Sequence, residues 1–242
     1  MMGVVSFIST AVLGSVAPFA DCESFHEGLV RQPVNAWSSL ALVGAGVWIL
    51  LRATRREPAD RAEQAAFGAG IAIVGIGSVV LHGPDPAWAL WFHDLSVVAV
   101  LLLLAVRGIG RVLGWSVSRR LLGVAAGLVV LAIDLAVVPT STVPAAWALV
   151  LVAGLGELVA HRRHPSEPGS TRTLLRTLAV VTVVVAGVAY LLGRSASPFC
   201  DPSSAMQWHA VWHVLVALSA VLAAAAAELG PSELPRAART PG

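Results

Sequence analysis

Two histidines near the C-terminal end of the chain have the spacing of a metal site. His209 and His213 lie four residues apart in an apolar stretch, residues 208–215. In a helix, residues i and i+4 share one face and lie about 6 Å apart along the axis, so their imidazoles can converge on one ion. Ionisable groups inside a bilayer are costly and usually face a functional partner. The alternative is a pair of interfacial histidines beside Trp208 and Trp212, and this stretch alone favours neither interpretation.

The composition is that of a polytopic membrane protein. Of the 242 residues, 57% are hydrophobic and 12% are charged, and the mean hydropathy is +0.79. Such a chain is too apolar for a soluble domain, so we expect an all-α bundle of membrane-spanning helices. The formal net charge of +2 does not indicate nucleic-acid binding. The chain has no lysine, and the positions of its arginines follow the topology of the membrane spans.

Apolar segments long enough to cross a bilayer recur along the chain. The seven predicted spans cover residues 33–51, 65–81, 88–106, 121–138, 143–160, 177–192 and 206–227. We expect residues 1–32 to form an N-terminal arm outside the cytoplasm, residues 33–228 a seven-helix domain, and residues 229–242 a cytoplasmic tail. The stretch 3–20 lacks a basic start and a good cleavage site, which favours an ordered or interfacial arm over a cleaved signal.

The arginines test this segmentation. All but Arg31 and Arg194 fall in the first, third and fifth loops or in the tail, which lie on one side of a seven-span protein. By the positive-inside rule that side is cytoplasmic. The N-terminus is therefore predicted to lie outside and the C-terminus inside.

Polar residues from three spans then share the outer layer of the bilayer. They are Ser78 and His82 at the end of the second span, His93 and Asp94 at the start of the third, and His209 and His213 at the start of the seventh. Three histidines with an open fourth position are typical of catalytic zinc. We predict that His82, His209 and His213 bind zinc and that Asp94 supplies a nearby carboxylate. Further polar groups that could hydrogen-bond a zinc-bound histidine are His93, Asp134 and Ser38.

The same residues resemble the signature of a known family. The motifs in chain order are Cys22-Glu23, Asn35, Ser78-Val-Val-Leu-His82, Asp94, Cys200-Asp201 and Trp208-His-Ala-Val-Trp-His213. In type, order and spacing they are similar to those of the alkaline ceramidases, which belong with the adiponectin-receptor-like proteins among seven-helix membrane hydrolases. The resemblance covers the whole topology.

The resemblance implies a zinc-dependent amidase that hydrolyses ceramide-like membrane lipids with a zinc-activated water. In that family pattern His82, His209 and His213 would bind the zinc, Asp94 would take and return protons, and Ser78 would stabilise the oxyanion. The residue types suit these roles. Zinc brings the pKa of a bound water to about 7, a carboxylate can serve as general base and acid, and a hydroxyl can donate to a developing oxyanion.

The family also has a calcium site on its N-terminal arm, and here the resemblance is incomplete. Asp21, Glu23 and Asn35 would be the calcium ligands in this chain. However, Ala20 and Gln32 stand where acidic residues are expected. The alternative is an acidic arm that is merely solvated.

The two cysteines, Cys22 and Cys200, are predicted to form a disulfide. They are the only cysteines of the chain, and the segmentation places both outside the cytoplasm, where disulfides persist. The bridge would hold the N-terminal arm and the sixth loop over the outer mouth of the zinc site. The alternative is two independent buried thiols.

Other functions use the same residues and stay open. A zinc or proton transporter could bind its ion with these histidines, although the sequence shows no internal repeat of the kind that transporters usually have. A receptor-like protein that no longer hydrolyses lipid is the second alternative. A retinal protein would need a lysine, and a rhomboid-type protease would need a site like Gly-x-Ser-x-Gly; the chain has neither. The sequence does not specify the lipid or the oligomeric state.

Overall fold

A computed structural model describes residues 21–163 and 169–229, which form an antiparallel helical bundle. Its helices are α1 (Pro33–Ser38), α2 (Leu40–Ala53), α3 (Pro58–His82), α4 (Ala89–Val112), α5 (Val117–Val137), α6 (Thr142–Arg163), α7 (Thr171–Leu192) and α8 (Trp208–Glu228). A 3-10 turn, Pro139–Ser141, precedes α6. The predictions for the stretch 3–20 and for nearly all of the tail fall outside the described residues.

Among the described residues, seven helical segments are long and apolar enough to cross a membrane, and α1 and α2 together form the first of them. This confirms the predicted all-α seven-helix bundle of a multi-pass membrane protein. Several helices extend beyond the predicted spans, since the second begins at Pro58, the third continues to Val112 and the sixth begins at Thr171. Long arginine side chains can reach the polar interface from a helix end, so charge there does not require the helix to stop.

The first span begins with support from the N-terminal arm. Pro33 occupies the first turn of α1, where its missing N–H costs nothing. The two carboxylate oxygens of Glu23 accept the backbone N–H groups of Val34 and Asn35, each at 2.8 Å. These N–H groups have no partner inside the helix, so Glu23 caps the first span and fixes the arm to it.

A break in the first span separates α1 from α2. The hydroxyl of Ser38 donates to the carbonyl oxygen of Asn35 at 3.0 Å, and the hydroxyl of Ser39 lies 2.7 Å from the same oxygen. Serine bonds to the preceding turn bend helices. The break places two hydroxyl groups at the contact between the first and seventh spans.

The bundle core lies between the first, second, third and seventh spans. Its buried apolar members are Leu42, Ala45, Ile49, Phe67, Ile71, Val74, Val100, Leu103, Ala217, Ala220 and Ala224. Elsewhere the sixth span packs along the seventh and the fifth packs along the third. In the fourth and fifth spans only 6% of the apolar window is buried, so their side chains face lipid.

Small residues allow the closest helix contacts, as is common in membrane bundles. A Cβ atom built on Gly46 would lie 2.4 Å from the backbone nitrogen of Ala72. Likewise, a Cβ atom on Gly108 would lie 3.1 Å from the Cα atom of Gly156. These glycines set the distances between the first and second spans and between the third and fifth.

Candidate metal site

Three histidines from two spans meet at one end of the bundle. His82 ends α3, and His209 and His213 lie in the first two turns of α8. One ligand atom of each histidine lies within 4.8 Å of the others, and none of the three residues is more than 4% exposed. Two nitrogens bound to one zinc at about 2.1 Å are less than about 4.2 Å apart. Small side-chain movements would therefore bring all three onto one ion.

The polar groups of the N-terminal segment orient two of these rings. Oε1 of Gln32 lies 2.7 Å from Nδ1 of His82, while Nε2 of Gln32 donates to the carbonyl oxygen of Glu23 at 2.7 Å. Because Oε1 is the acceptor, the proton of the His82 ring is on Nδ1, and Nε2 keeps its lone pair. In the same way, the hydroxyl of Ser38 lies 2.9 Å from Nδ1 of His213. Partners on the far nitrogen are the usual surroundings of a metal-binding histidine.

Two other ring nitrogens of the histidine group are available to bind an ion. Nε2 of His82 and Nε2 of His209 are buried and have no hydrogen-bond partner among the described residues. A buried polar atom without a partner costs about 1–3 kcal/mol. The histidine group therefore fits a bound metal ion, which would take up these lone pairs.

Ser78 adds a hydroxyl to the edge of the histidine group. It is completely buried, one turn before His82 on α3. The hydroxyl of Ser39 donates to Oγ of Ser78 at 2.8 Å, and Oγ of Ser78 lies 3.0 Å from Nε2 of His213. A donor at this position can reach an oxygen atom of a ligand held beside the histidines.

Asp94 lies beside the site and is joined to it by His93. Nδ1 of His93 is 3.0 Å from Oδ1 of Asp94, and the hydroxyl of Thr142 donates to Oδ2 at 2.9 Å. The ring centroids of His93 and His82 are 6.5 Å apart. Nε2 of His93 is buried without a hydrogen-bond partner in the part of the chain that the structure describes. The His93–Asp94 pair therefore connects the histidine group to a carboxylate.

Asp21 approaches the histidines from the N-terminal arm. Its Oδ1 lies 3.1 Å from Nδ1 of His209, and its Oδ2 lies 3.9 Å from Nε2 of His82. The first contact is short, but its angle is not that of an aligned hydrogen bond. Nη1 of Arg194 donates to Oδ1 at 2.6 Å. The carboxylate therefore lies between one guanidinium and two of the three candidate ligands.

The three residues predicted to bind calcium make different contacts. Asp21 faces Arg194 and the histidines, whereas Glu23 caps the first span through both of its carboxylate oxygens. The side chain of Asn35 is fully buried, and neither its oxygen nor its nitrogen has a hydrogen-bond partner among residues 21–163 and 169–229. Calcium binding stays a prediction.

The cysteines lie at disulfide distance, as predicted. The sulfur atoms of Cys22 and Cys200 are 2.09 Å apart and the Cα atoms 5.4 Å. Backbone bonds accompany the bridge, from Cys22 to Gly193 at 2.9 Å and from Ser24 to Pro202 at 3.1 Å. Together they hold the N-terminal arm against the loop of residues 193–207.

That loop also sets the start of α8. The hydroxyl and backbone N–H of Ser203 donate to Oδ1 of Asp201 at 2.8 and 3.0 Å, and these bonds lower the pKa of the carboxyl group. Nε2 of Gln207 donates to the carbonyl oxygens of Asp201 and Ser204. The loop therefore ends in a bonded turn, and His209 follows in the first helical turn.

Two polar residues at the site, Gln32 and Ser39, are not predicted from the sequence. In the sequence, Gln32 is only a departure from the calcium pattern, and nothing near Gln32 or Ser39 indicates which distant ring each side chain meets. Asp134, predicted to support a histidine, has its carboxylate bonded to the hydroxyl of Ser141. Ser38 lies against His213, where the prediction placed a supporting group.

Comparison of the chain with protein-family models and with curated proteins finds no match.

Proposed function

We propose that the protein is a zinc-dependent hydrolase that cleaves the N-acyl amide bond of ceramide-like membrane lipids. The observation that carries the proposal is the buried group of three histidines from two spans beside a serine hydroxyl. Two of them, His82 and His209, have ring nitrogens without a hydrogen-bond partner among the described residues. A bound zinc ion would supply an activated water and polarise the carbonyl group of the substrate.

The surroundings of the site favour a lipid substrate. The histidines lie at the end of helices that are apolar enough to cross a membrane, and most of the spans expose large apolar side chains. Bilayer lipids are therefore the molecules that border the bundle near the site. The amide bond, in preference to an ester, is inferred from the resemblance to the alkaline ceramidases.

The side chains around the histidines have the chemistry that hydrolysis needs. The hydroxyl of Ser78 can donate to the oxygen atom that becomes negative when an amide carbonyl is attacked. Asp94 can accept a proton and return it to the leaving amine. His93, which contacts Asp94 and lies beside His82, provides a path between the carboxylate and the site.

Two measurements on the purified protein test the proposal. The first is elemental analysis, where we expect one zinc per chain. The second is mass spectrometry of a long-chain N-acyl sphingosine in nanodiscs, where we expect release of the fatty acid and the amine, with loss of release on chelation. The double variant His209→Ala, His213→Ala should lose both metal and activity. The control is His161→Ala, an exposed histidine at the opposite end of the bundle, which should retain both.

The alternatives give different results. Protein without zinc, or full zinc retention in the double variant, would overturn the metal site. Bound zinc without cleavage of any N-acyl lipid would favour a receptor-like protein. Uptake of zinc into sealed vesicles, lost in the double variant, would favour a transporter.

A further inference from the structure

We propose that Asp21 of the N-terminal arm is a positioning residue for the metal site and acts through His209. The inference deepens the proposed function and rests on its three-histidine zinc site. It assigns Asp21 to the zinc site in place of the calcium site for which the sequence suggested it.

The pattern of contacts at the three rings supports this role. Nδ1 of His82 meets the side chain of Gln32, and Nδ1 of His213 meets that of Ser38. The polar group at Nδ1 of His209 is the carboxylate of Asp21, at 3.1 Å. All three groups come from the segment of residues 21–39, so one part of the chain supplies the polar neighbour at Nδ1 of every candidate ligand.

Among the described residues, Asp21 supplies the one carboxylate that lies against the ring of His209. In the described part of the chain neither of its nitrogens has an aligned hydrogen bond. Besides the other two candidate ligands, His82 and His213, its close neighbours are Tyr190 and Trp212, whose ring centroids lie 6.1 and 5.1 Å from that of His209. These rings pack against the imidazole but do not distinguish its two nitrogens. The carboxylate of Asp21 does distinguish the two nitrogens of His209. It favours a proton on Nδ1 and leaves the lone pair of Nε2 for the metal.

An ion pair and a backbone constraint hold the carboxylate of Asp21 in place. Arg194 donates to Oδ1 of Asp21 at 2.6 Å and lies over the ring of Tyr190, 5.0 Å from its centroid. Asp21 and Arg194 also form a backbone bridge, and the disulfide of Cys22 follows immediately. The guanidinium compensates the negative charge of a carboxylate that is largely removed from water. The disulfide fixes the backbone from which it projects.

The test measures zinc affinity by competition with a chelator of known affinity. Partners of metal-binding histidines typically contribute about 10-fold to 100-fold in metal affinity, so we expect Asp21→Asn to weaken zinc binding by that factor. Asp21→Glu should recover part of the loss, since it keeps a carboxylate. The matched control is Glu27→Gln, which removes an exposed carboxylate of the same arm and should leave the affinity unchanged.

A second readout separates positioning from a general effect on folding. In protein loaded with Co²⁺, the visible absorption spectrum reports the geometry around the ion. We expect it to change in Asp21→Asn and to stay the same in Glu27→Gln. Intact Cys22–Cys200 peptides under non-reducing conditions would show that the arm is still docked. Should Asp21→Asn not fold, Arg194→Gln tests the same contact by removing the guanidinium that holds the carboxylate, and a weaker zinc affinity is again expected.

The outcomes distinguish this inference from the proposed function. Unchanged zinc affinity and an unchanged cobalt spectrum in the folded Asp21→Asn variant would overturn the role of Asp21 and leave the three-histidine site standing. Unchanged zinc affinity in the folded Arg194→Gln variant would also overturn the role of Asp21. A wild-type protein that binds no zinc would overturn the proposed function, and this inference with it.

Discussion

At the scale of single residues, the site depends on polar side chains that are buried and bonded in a specific order. Ser39 donates to Ser78, and Ser78 meets His213. On the other side, Thr142 donates to Asp94, which contacts His93. Both chains of contacts end beside the histidine group, but they present different chemistry to it: a hydroxyl donor on one side and a carboxylate on the other. Substitutions at Ser78 and Asp94 should therefore affect catalysis in different ways.

Replacing Ser78 by alanine removes one donor to the oxyanion. Such a loss typically lowers the rate by roughly a hundredfold to a thousandfold, and we expect that decrease in single-turnover hydrolysis with zinc still bound. Ser219→Ala is the control, because Ser219 is a buried serine of α8 that bonds to the carbonyl oxygen of Ala179 instead. A rate equal to that of the wild type would make Ser78 a packing residue.

Replacing Asp94 by asparagine preserves the size of the side chain and removes its ability to accept and return a proton. We expect hydrolysis to be abolished while elemental analysis still finds one zinc per chain. His93→Gln measures whether the proton path includes the imidazole. Loss of zinc together with activity in Asp94→Asn would instead identify Asp94 as a metal ligand.

At the scale of helices, the first span packs against both the second span, which carries His82, and the seventh, which carries His209 and His213. Its contact with the second span is very close. A Cβ atom on Gly46 would meet Ala72 at 2.4 Å and the carbonyl oxygen of Gly68 at 2.6 Å, both backbone contacts that cannot rotate away. Near the end of the same contact, Ser39 of the first span bonds to Ser78 of the second. Helix spacing and site geometry are therefore linked.

Gly46→Ala should separate the two spans and destabilise the protein. Overpacking of this kind costs about 1–3 kcal/mol, and we expect a lower unfolding temperature in detergent. The control is Gly44→Ala, two residues away, where an added Cβ meets nothing within 4 Å. At Gly44 the higher helix propensity of alanine should leave stability equal or improved. Equal stability of both variants would contradict the close approach seen at Gly46.

At the scale of the whole molecule, the helix order places the site and the arginine-rich loops at opposite ends of the bundle. The site lies where α3 ends and α4 and α8 begin, whereas the loops after α2, α4 and α6 lie at the other end. The positive-inside rule assigns the arginine-rich end to the cytoplasm. We therefore expect the site to face the extracytoplasmic side.

Reporter fusions at the C-terminus measure this orientation. In a bacterial host, green fluorescent protein fused there should fluoresce, and alkaline phosphatase should be inactive, because the tail is predicted to be cytoplasmic. A fusion of each reporter to the loop of residues 193–207 should give the reverse pattern. Active phosphatase at the C-terminus would invert the topology and place the site on the cytoplasmic side.

The disulfide joins two residues that are 178 positions apart, so the loop it closes contains the first six spans. The loop-closure model gives a few kcal/mol for long loops, with wide variation, so the variant Cys22→Ser, Cys200→Ser should unfold at a lower temperature than the wild type. Non-reducing mass spectrometry after trypsin digestion should find the two cysteine peptides linked. Free alkylation of both cysteines in unreduced, denatured protein would contradict the bridge.

The sequence by itself determined the spans and part of the site. Length and hydropathy are local properties of a segment, so seven membrane helices could be predicted before any contact was known. The spacing of His209 and His213 is also local, because helix geometry places residues i and i+4 on one face. His82 could be added because the alternation of loops sets its depth. The pairing of the cysteines followed from their number and side of the membrane.

The tertiary structure alone decided which polar groups support the histidines. Gln32 meets His82 from a distance of 50 residues, Ser38 meets His213 from 175, and Asp21 lies against His209 from the far end of the described chain. These contacts depend on how each helix is rotated about its axis and how closely the first span approaches the second and the seventh. Rotation and distance arise from the packing of small and large side chains across several helices. No local pattern of residues encodes them.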